Sequence, residues 1–149
     1  MEHPKELLNA ALKEAMKNKD AQRRDALRLL TSAIKQVEID SQNEVTPEQA
    51  QDILQKEAKK RRESIAELTN VGRDEQLAGE QFELALLEEF LPKQFTETEL
   101  RTMVQAAIAS SGASGGKDMG KVMSVLQPQT KGRADGKLVS QLVKEALGN

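Results

Sequence analysis

An all-α fold, an N-terminal four-helix part hinged to a C-terminal three-helix bundle, is what this sequence predicts. Three observations carry the prediction. Leu, Ala, Glu, Gln, Lys and Arg dominate its 149 residues, and these side chains lose little on entering a helix. Apolar residues recur three and four positions apart almost throughout, and no alternating run marks a strand. Helix starts and stops punctuate the chain at short intervals, with no repeat of 20 to 50 residues. The expected parts are an N-terminal helical domain over 1–92 and a C-terminal domain over 96–149.

The elements follow in order. Leu8, Ala11, Leu12 and Ala15 give the first helix, Pro4 to Asn18. Asp20 is placed to cap a second, striped by Leu27, Leu30, Ile34 and Val37 and ending near Ser41. Thr46-Pro47-Glu48-Gln49 combines a cap, a first-position proline and a capping-box glutamine, opening a third helix that Gly72 is placed to stop. Asp74 begins a fourth through Leu77, Phe82, Leu86 and Phe90, ended by Pro92. Pro92 to Phe95 reads as a linker. Thr96 and Glu99 form a second capping box, opening a fifth helix through Leu100, Val104 and Ile108. A loop from Ser110 to Gly116 follows. Asp118 is expected to cap a short sixth helix that Pro128 stops, and Asp135 a seventh through Leu138, Leu142 and Val143.

Composition excludes several function classes. Aromatic residues make up 2% of the chain, with no Trp or Tyr, so the cores must be aliphatic. Cysteine is absent, which removes disulfides and thiolate metal sites. No apolar run approaches the roughly 20 residues of a membrane span, and the N-terminus lacks a signal-peptide stretch. A cytoplasmic protein with no membrane partner is expected. The net charge of −2 divides unevenly: −4 over Met1 to Phe95 and +2 over Thr96 to Asn149. That asymmetry suggests different partners for the two parts.

The single histidine, His3, sits where fraying is expected, so a Ser–His dyad within the fold is excluded and a histidine metal site nearly so. Gly112-Ala113-Ser114-Gly115-Gly116 matches the letters of a nucleophile elbow, but a preceding strand and a base are missing. A flexible loop is the better reading. Glu80, Glu83, Glu88 and Glu89 on the fourth helix read as a solvated face rather than a cation site. Lys56, Lys59, Lys60, Arg61 and Arg62 on the third interleave with Glu57, Glu63 and Glu67, the pattern of ordinary i,i+4 surface pairs. No metal, cofactor or catalytic residue is assigned.

The C-terminal part holds the sharpest signal. Gly115-Gly116-Lys117-Asp118-Met119-Gly120-Lys121 and Lys131-Gly132-Arg133-Ala134-Asp135-Gly136-Lys137 each lead a glycine-bearing loop into a helix with basic residues around it. Helix N-termini offer unpaired N–H groups and a positive dipole end to anions. Lys117, Lys121, Lys131, Arg133 and Lys137 are the candidate nucleic-acid contacts. Against this, Asp118 and Asp135 would already occupy those N–H groups as caps.

Asp118-Met119-Gly120-Lys121-Val122-Met123 and Lys131-Gly132-Arg133-Ala134-Asp135-Gly136-Lys137-Leu138-Val139 resemble the signature of the YqeY family. Leu27-Arg28, Arg61-Arg62-Glu63-Ser64, Gly72-Arg73 and Leu91-Pro92-Lys93-Gln94-Phe95 resemble further landmarks of that family, so the resemblance spans essentially the whole chain. The family's C-terminal portion is similar to the tail of the B subunit of tRNA-dependent amidotransferase (GatB). That tail helps hold tRNA during amidation, and related helical modules are appended to some glutaminyl-tRNA synthetases. The resemblance therefore implies a stand-alone tRNA-binding accessory module. A label of carbon-nitrogen ligase with glutamine as amido-N-donor would be inherited from the fused enzyme, whose catalytic cradle lies in another domain. Without Tyr or Trp to stack splayed bases, recognition would rest on shape and phosphate contact. The alternative is an adaptor without RNA affinity that meets a protein partner through the acidic N-terminal helices.

The purified chain is expected neither to release ammonia from glutamine nor to amidate mischarged tRNA. Turnover in an ammonia-release assay that Ser114→Ala abolishes would refute this.

Overall fold

The computed structural model describes residues 2–148, and over these it is all-helical, with no strand among them. The chain divides into two compact units, Met1–Leu91 and Pro92–Asn149. The first contains α1 (Pro4–Lys17), α2 (Ala21–Ser41), α3 (Pro47–Leu68) and α4 (Asp74–Glu88). The second contains α5 (Glu97–Ser111), a 3₁₀ turn at Gly116–Asp118, α6 (Met119–Thr130) and α7 (Gly136–Ala146). No helix among the described residues is long and apolar enough to cross a membrane.

In the first unit Leu8, Leu27, Ile34, Leu54 and Leu87 are fully buried, with Ala50 and Ala58 letting α3 approach its neighbours. Phe82 and Phe90 pack at the edge of this aliphatic core. Asp20 accepts a hydrogen bond from the Arg23 N–H, so the expected cap of α2 is present. Thr46 and Gln49 form the full capping box at α3.

Several boundaries differ from the sequence expectation. His3 is not frayed: its Nδ1 accepts from the Lys5 N–H at 3.2 Å, and its Nε2 lies 3.0 Å from the Val45 carbonyl. One neutral tautomer, protonated at Nε2, satisfies both bonds. Helix α3 ends at Leu68, ahead of Gly72, because Asn70 already turns left-handed at φ 68° and Gly72 follows at φ 76°. Helix α4 ends at Glu88 rather than at Pro92; proline disfavours helical conformation in the residue before it, and Phe90 N–H closes a tight turn onto the Leu87 carbonyl. Pro128 lies inside α6 instead of stopping it. In the last turn the proline forfeits only the bond to the Ser124 carbonyl, and its fixed φ suits a helix.

The acidic residues of α4 are not a plain solvated face either. Arg61, on α3, reaches Glu57 and Glu80 at 3.5 Å each and hydrogen-bonds Glu83 through Nε. Three carboxylates converge on one half-buried guanidinium, so Glu80 and Glu83 help clamp α3 to α4. Glu89 pairs with Arg23 on α2 at 2.8 Å. On α3 the Glu57–Arg61 pair forms as expected, whereas Lys60, not Lys59, joins the network through Glu57 at 3.4 Å.

In the second unit Leu100, Val104, Val122, Leu126, Val139 and Val143 make the core. Thr96 caps α5 by accepting from the Glu99 N–H, and the reciprocal half of the expected capping box is not seen. Helix α5 continues through Ser111, and Gly112 ends it at φ 71°, a conformation natural to glycine. Residues 93–95 belong to this unit. Phe95 N–H donates to the Arg133 carbonyl at 2.8 Å, and its ring packs against the core.

Two outcomes are expected. Fragment 92–149 should fold as a helical unit by circular dichroism, whereas 96–149, lacking Phe95, should be less stable by about 2–3 kcal/mol. Equal denaturation midpoints for the two fragments would contradict this. Separately, Glu38 accepts from Lys5 Nζ at 2.9 Å and from the Val45 N–H at 3.0 Å, and these bonds, the lysine's first, hold its carboxyl below the usual range. A depressed carboxyl stabilises the fold above its unfolded value of about 4.3, and this contribution disappears as pH falls through the lowered folded value. Glu38→Gln should therefore cost stability at pH 7, with the deficit closing in acid; a deficit independent of pH would refute it.

Candidate functional site

The five basic residues expected to contact nucleic acid all lie in the second unit, where the structure sorts them into two groups. Lys117 is exposed within the 3₁₀ turn, and Lys121 stands in the first turn of α6. Lys131 caps the other end of α6, Lys137 sits in the first turn of α7, and Arg133 lies in the loop between. Helix α6 separates the groups. Its 12 residues rise about 18 Å at 1.5 Å each. No single small anion can touch both ends; only an extended or double-stranded ligand bridges them.

The two loops treat their capping aspartates differently. Asp135 accepts from the Lys137 N–H at 3.1 Å and so occupies an N–H in the first turn of α7, as the sequence suggested. Asp118 does not cap α6. Its Oδ2 turns back to accept from the Ser114 N–H at 3.0 Å and from Ser114 Oγ at 3.3 Å. The chain reaches α6 through the 3₁₀ turn, which draws Asp118 toward the preceding loop. Chiefly because of the Ser114 N–H, and secondarily because of the Lys121 charge, the Asp118 carboxyl is held below the usual carboxylate range. The same bonds occupy Ser114 Oγ, the hydroxyl of the would-be elbow.

Charge availability also differs. Lys121 Nζ is 3.6 Å from Asp118, so its charge is partly neutralised. Lys117, Lys131 and Lys137 are exposed, and among the described residues no carboxylate lies within 4.0 Å of them. The unit carries eight Lys and Arg against five Asp and Glu from Pro92 onward, a net +3 that these lysines present to solvent. Lys131 also borders an open groove of about 930 Å³ between α6 and α7, lined by Met123, Gln127, Pro128, Gly136 and Val139.

Arg133 is placed quite differently from the lysines. Its Nε donates to the Lys93 carbonyl at 2.9 Å, and its guanidinium lies 3.8 Å from the centroid of the Phe95 ring. Its own N–H donates to the Thr130 carbonyl at 2.8 Å. Beside it Gly132 turns left-handed at φ 77°, and Gln94 Nε2 donates to the Gly132 carbonyl at 3.1 Å. Sequence spacing missed Lys93, Gln94 and Phe95 as supports of this loop. The available signal was Phe95, the one aromatic residue of the second unit, which gives an arginine a face to stack on.

Among the described residues no group of three or more His, Asp or Glu is placed to hold a metal ion. None of the curated proteins compared with the chain matches it. A family model described as Yqey-like protein matches residues 5–147.

Proposed function

We propose, from the premise that the chain belongs to the YqeY family, that its second unit binds the phosphate backbone of a structured RNA of the tRNA class. The observation that carries this reading is the placement of Lys117, Lys131 and Lys137 at the two ends of α6. All three are exposed, without a carboxylate partner among the described residues, and about 18 Å of helix separates the groups. Lys121, shared with Asp118, adds a weaker contact.

The mode of binding follows from what the unit lacks and what it offers. It has no Tyr or Trp, and its single Phe95 is covered by Arg133, so base stacking has no free platform. Separated point charges suit phosphates fixed by a helical RNA and carry little base-sequence information. The acidic first unit, with 14 Lys and Arg against 19 Asp and Glu up to Leu91, is repelled by RNA and faces solvent or a protein. The resemblance of the C-terminal motifs to the amidotransferase tail supports tRNA as the partner, in a reducing cytosol, in an accessory rather than catalytic role.

Neutralising Lys117, Lys131 and Lys137 to Ala should weaken binding to every tRNA alike. The logarithmic salt slope should shrink by roughly 2–3, at about 0.7–0.9 for each phosphate that no longer meets a lysine. The matched control is Lys56, Lys59 and Lys60 to Ala, which removes three exposed charges from α3 and spares the half-buried Arg61 and Arg62. A located site leaves the control's slope near wild type. Equal reductions in the two variants would defeat the assignment, and absence of wild-type binding in a filter titration would favour the protein-adaptor reading.

A further inference from the structure

We infer that Arg133 is a positioning residue, which holds the loop between Lys131 and Lys137 against residues 93–95 rather than contacting phosphate itself; its RNA consequence rests on the function proposed above. Four bonds and one stack converge here. Arg133 Nε donates to the Lys93 carbonyl at 2.9 Å, and Phe95 N–H donates to the Arg133 carbonyl at 2.8 Å. Gln94 Nε2 donates to the Gly132 carbonyl at 3.1 Å, and Arg133 N–H to the Thr130 carbonyl at 2.8 Å. The guanidinium covers the Phe95 ring. A loop needing φ 77° at Gly132 has no repeating ladder to hold it, so these bonds set its course.

The chemistry requires arginine. Its planar guanidinium can stack on a ring while Nε donates sideways in the same plane. A lysine ammonium retains the charge but cannot do both at this spacing. The lysines flanking the loop have no comparable support of their own. Lys131 follows the end of α6, and Lys137 follows the Asp135 cap, so the path between them depends on residues 132 and 133. Segment 93–95, outside the basic motifs, thereby becomes part of the binding loop's construction. Order imposed on the loop by a ligand must, by reciprocity, also order that segment.

The test uses the full chain with Arg133→Lys, Arg133→Gln, Phe95→Leu and Phe95→Tyr, read in two ways. Without RNA, amide hydrogen exchange at Phe95 should speed up roughly tenfold in Arg133→Lys and in Phe95→Leu, and stay near wild type in Phe95→Tyr, which keeps the stack. Unchanged Phe95 exchange in Arg133→Lys overturns the positioning role, whatever the RNA results. With bulk tRNA, Phe95→Leu and Arg133→Lys should weaken binding to a similar extent although neither alters net charge. Retained affinity in both variants, with weakening only in Arg133→Gln, would make Arg133 a phosphate contact and overturn the inference. Accelerated Phe95 exchange in a protein that binds no RNA would uphold the positioning of the loop while refuting the function proposed for it.

Discussion

The stack of Arg133 on Phe95, together with the hydrogen bonds between residues 93–95 and 132–133, is the constraint on which the C-terminal surface depends. The unit spans 58 residues and its core is built mostly from Leu, Val and Met, so few interactions are available to define a loop. A flexible loop would spread Lys131 and Lys137 over many positions, and binding would have to overcome that entropy. Fixing the backbone between them beforehand reduces the cost. The phenylalanine also joins the hydrophobic core, so the same ring serves packing on one side and the arginine on the other.

The first unit solves a different problem with similar means. Its helices carry many charges, and the structure gathers several into half-buried junctions rather than leaving them all in water. Arg61 draws three carboxylates together between α3 and α4, while Lys5, Glu38 and the Val45 N–H tie the start of α1 to the end of α2 and its following loop. His3 adds a second tie to the same loop through the Val45 carbonyl. Removing one member of such a junction leaves its partners short of a bond, so each charge matters chiefly through the partners it satisfies. The first unit's acidity is thus partly structural, and the surface proposed to meet RNA is the exposed basic side chains of the second.

Much of the architecture was legible in the residues. Apolar spacing located the seven α-helices of the described residues, and caps whose donors lie within the next turn, Asp20, Thr46, Thr96 and Asp135, were identifiable because their geometry is local. What escaped depends on competition or on distance. Asp118 had the spacing of a cap, but Ser114 offered it two donors from the other side. Pro128 is a strong breaker in a helix interior and a mild one in a last turn, and the pattern alone did not say which applied. His3 reads as frayed from its terminal position, and the Val45 carbonyl that holds it lies 42 residues away, beyond the reach of local spacing. The five basic candidates come from two motifs on either side of the expected sixth helix, so their division was legible, whereas the fixed position of Arg133 was not, because its partner Lys93 lies 40 residues away.

The central claim is that RNA bridges both ends of α6. Amide chemical-shift mapping of the full chain during a tRNA titration, at low and at physiological salt, tests it most directly. The account predicts perturbations over both 116–121 and 131–137, fading together as salt rises, with α1 to α4 largely unchanged. Shifts confined to one end of α6, or concentrated in the acidic helices of the first unit, would contradict it.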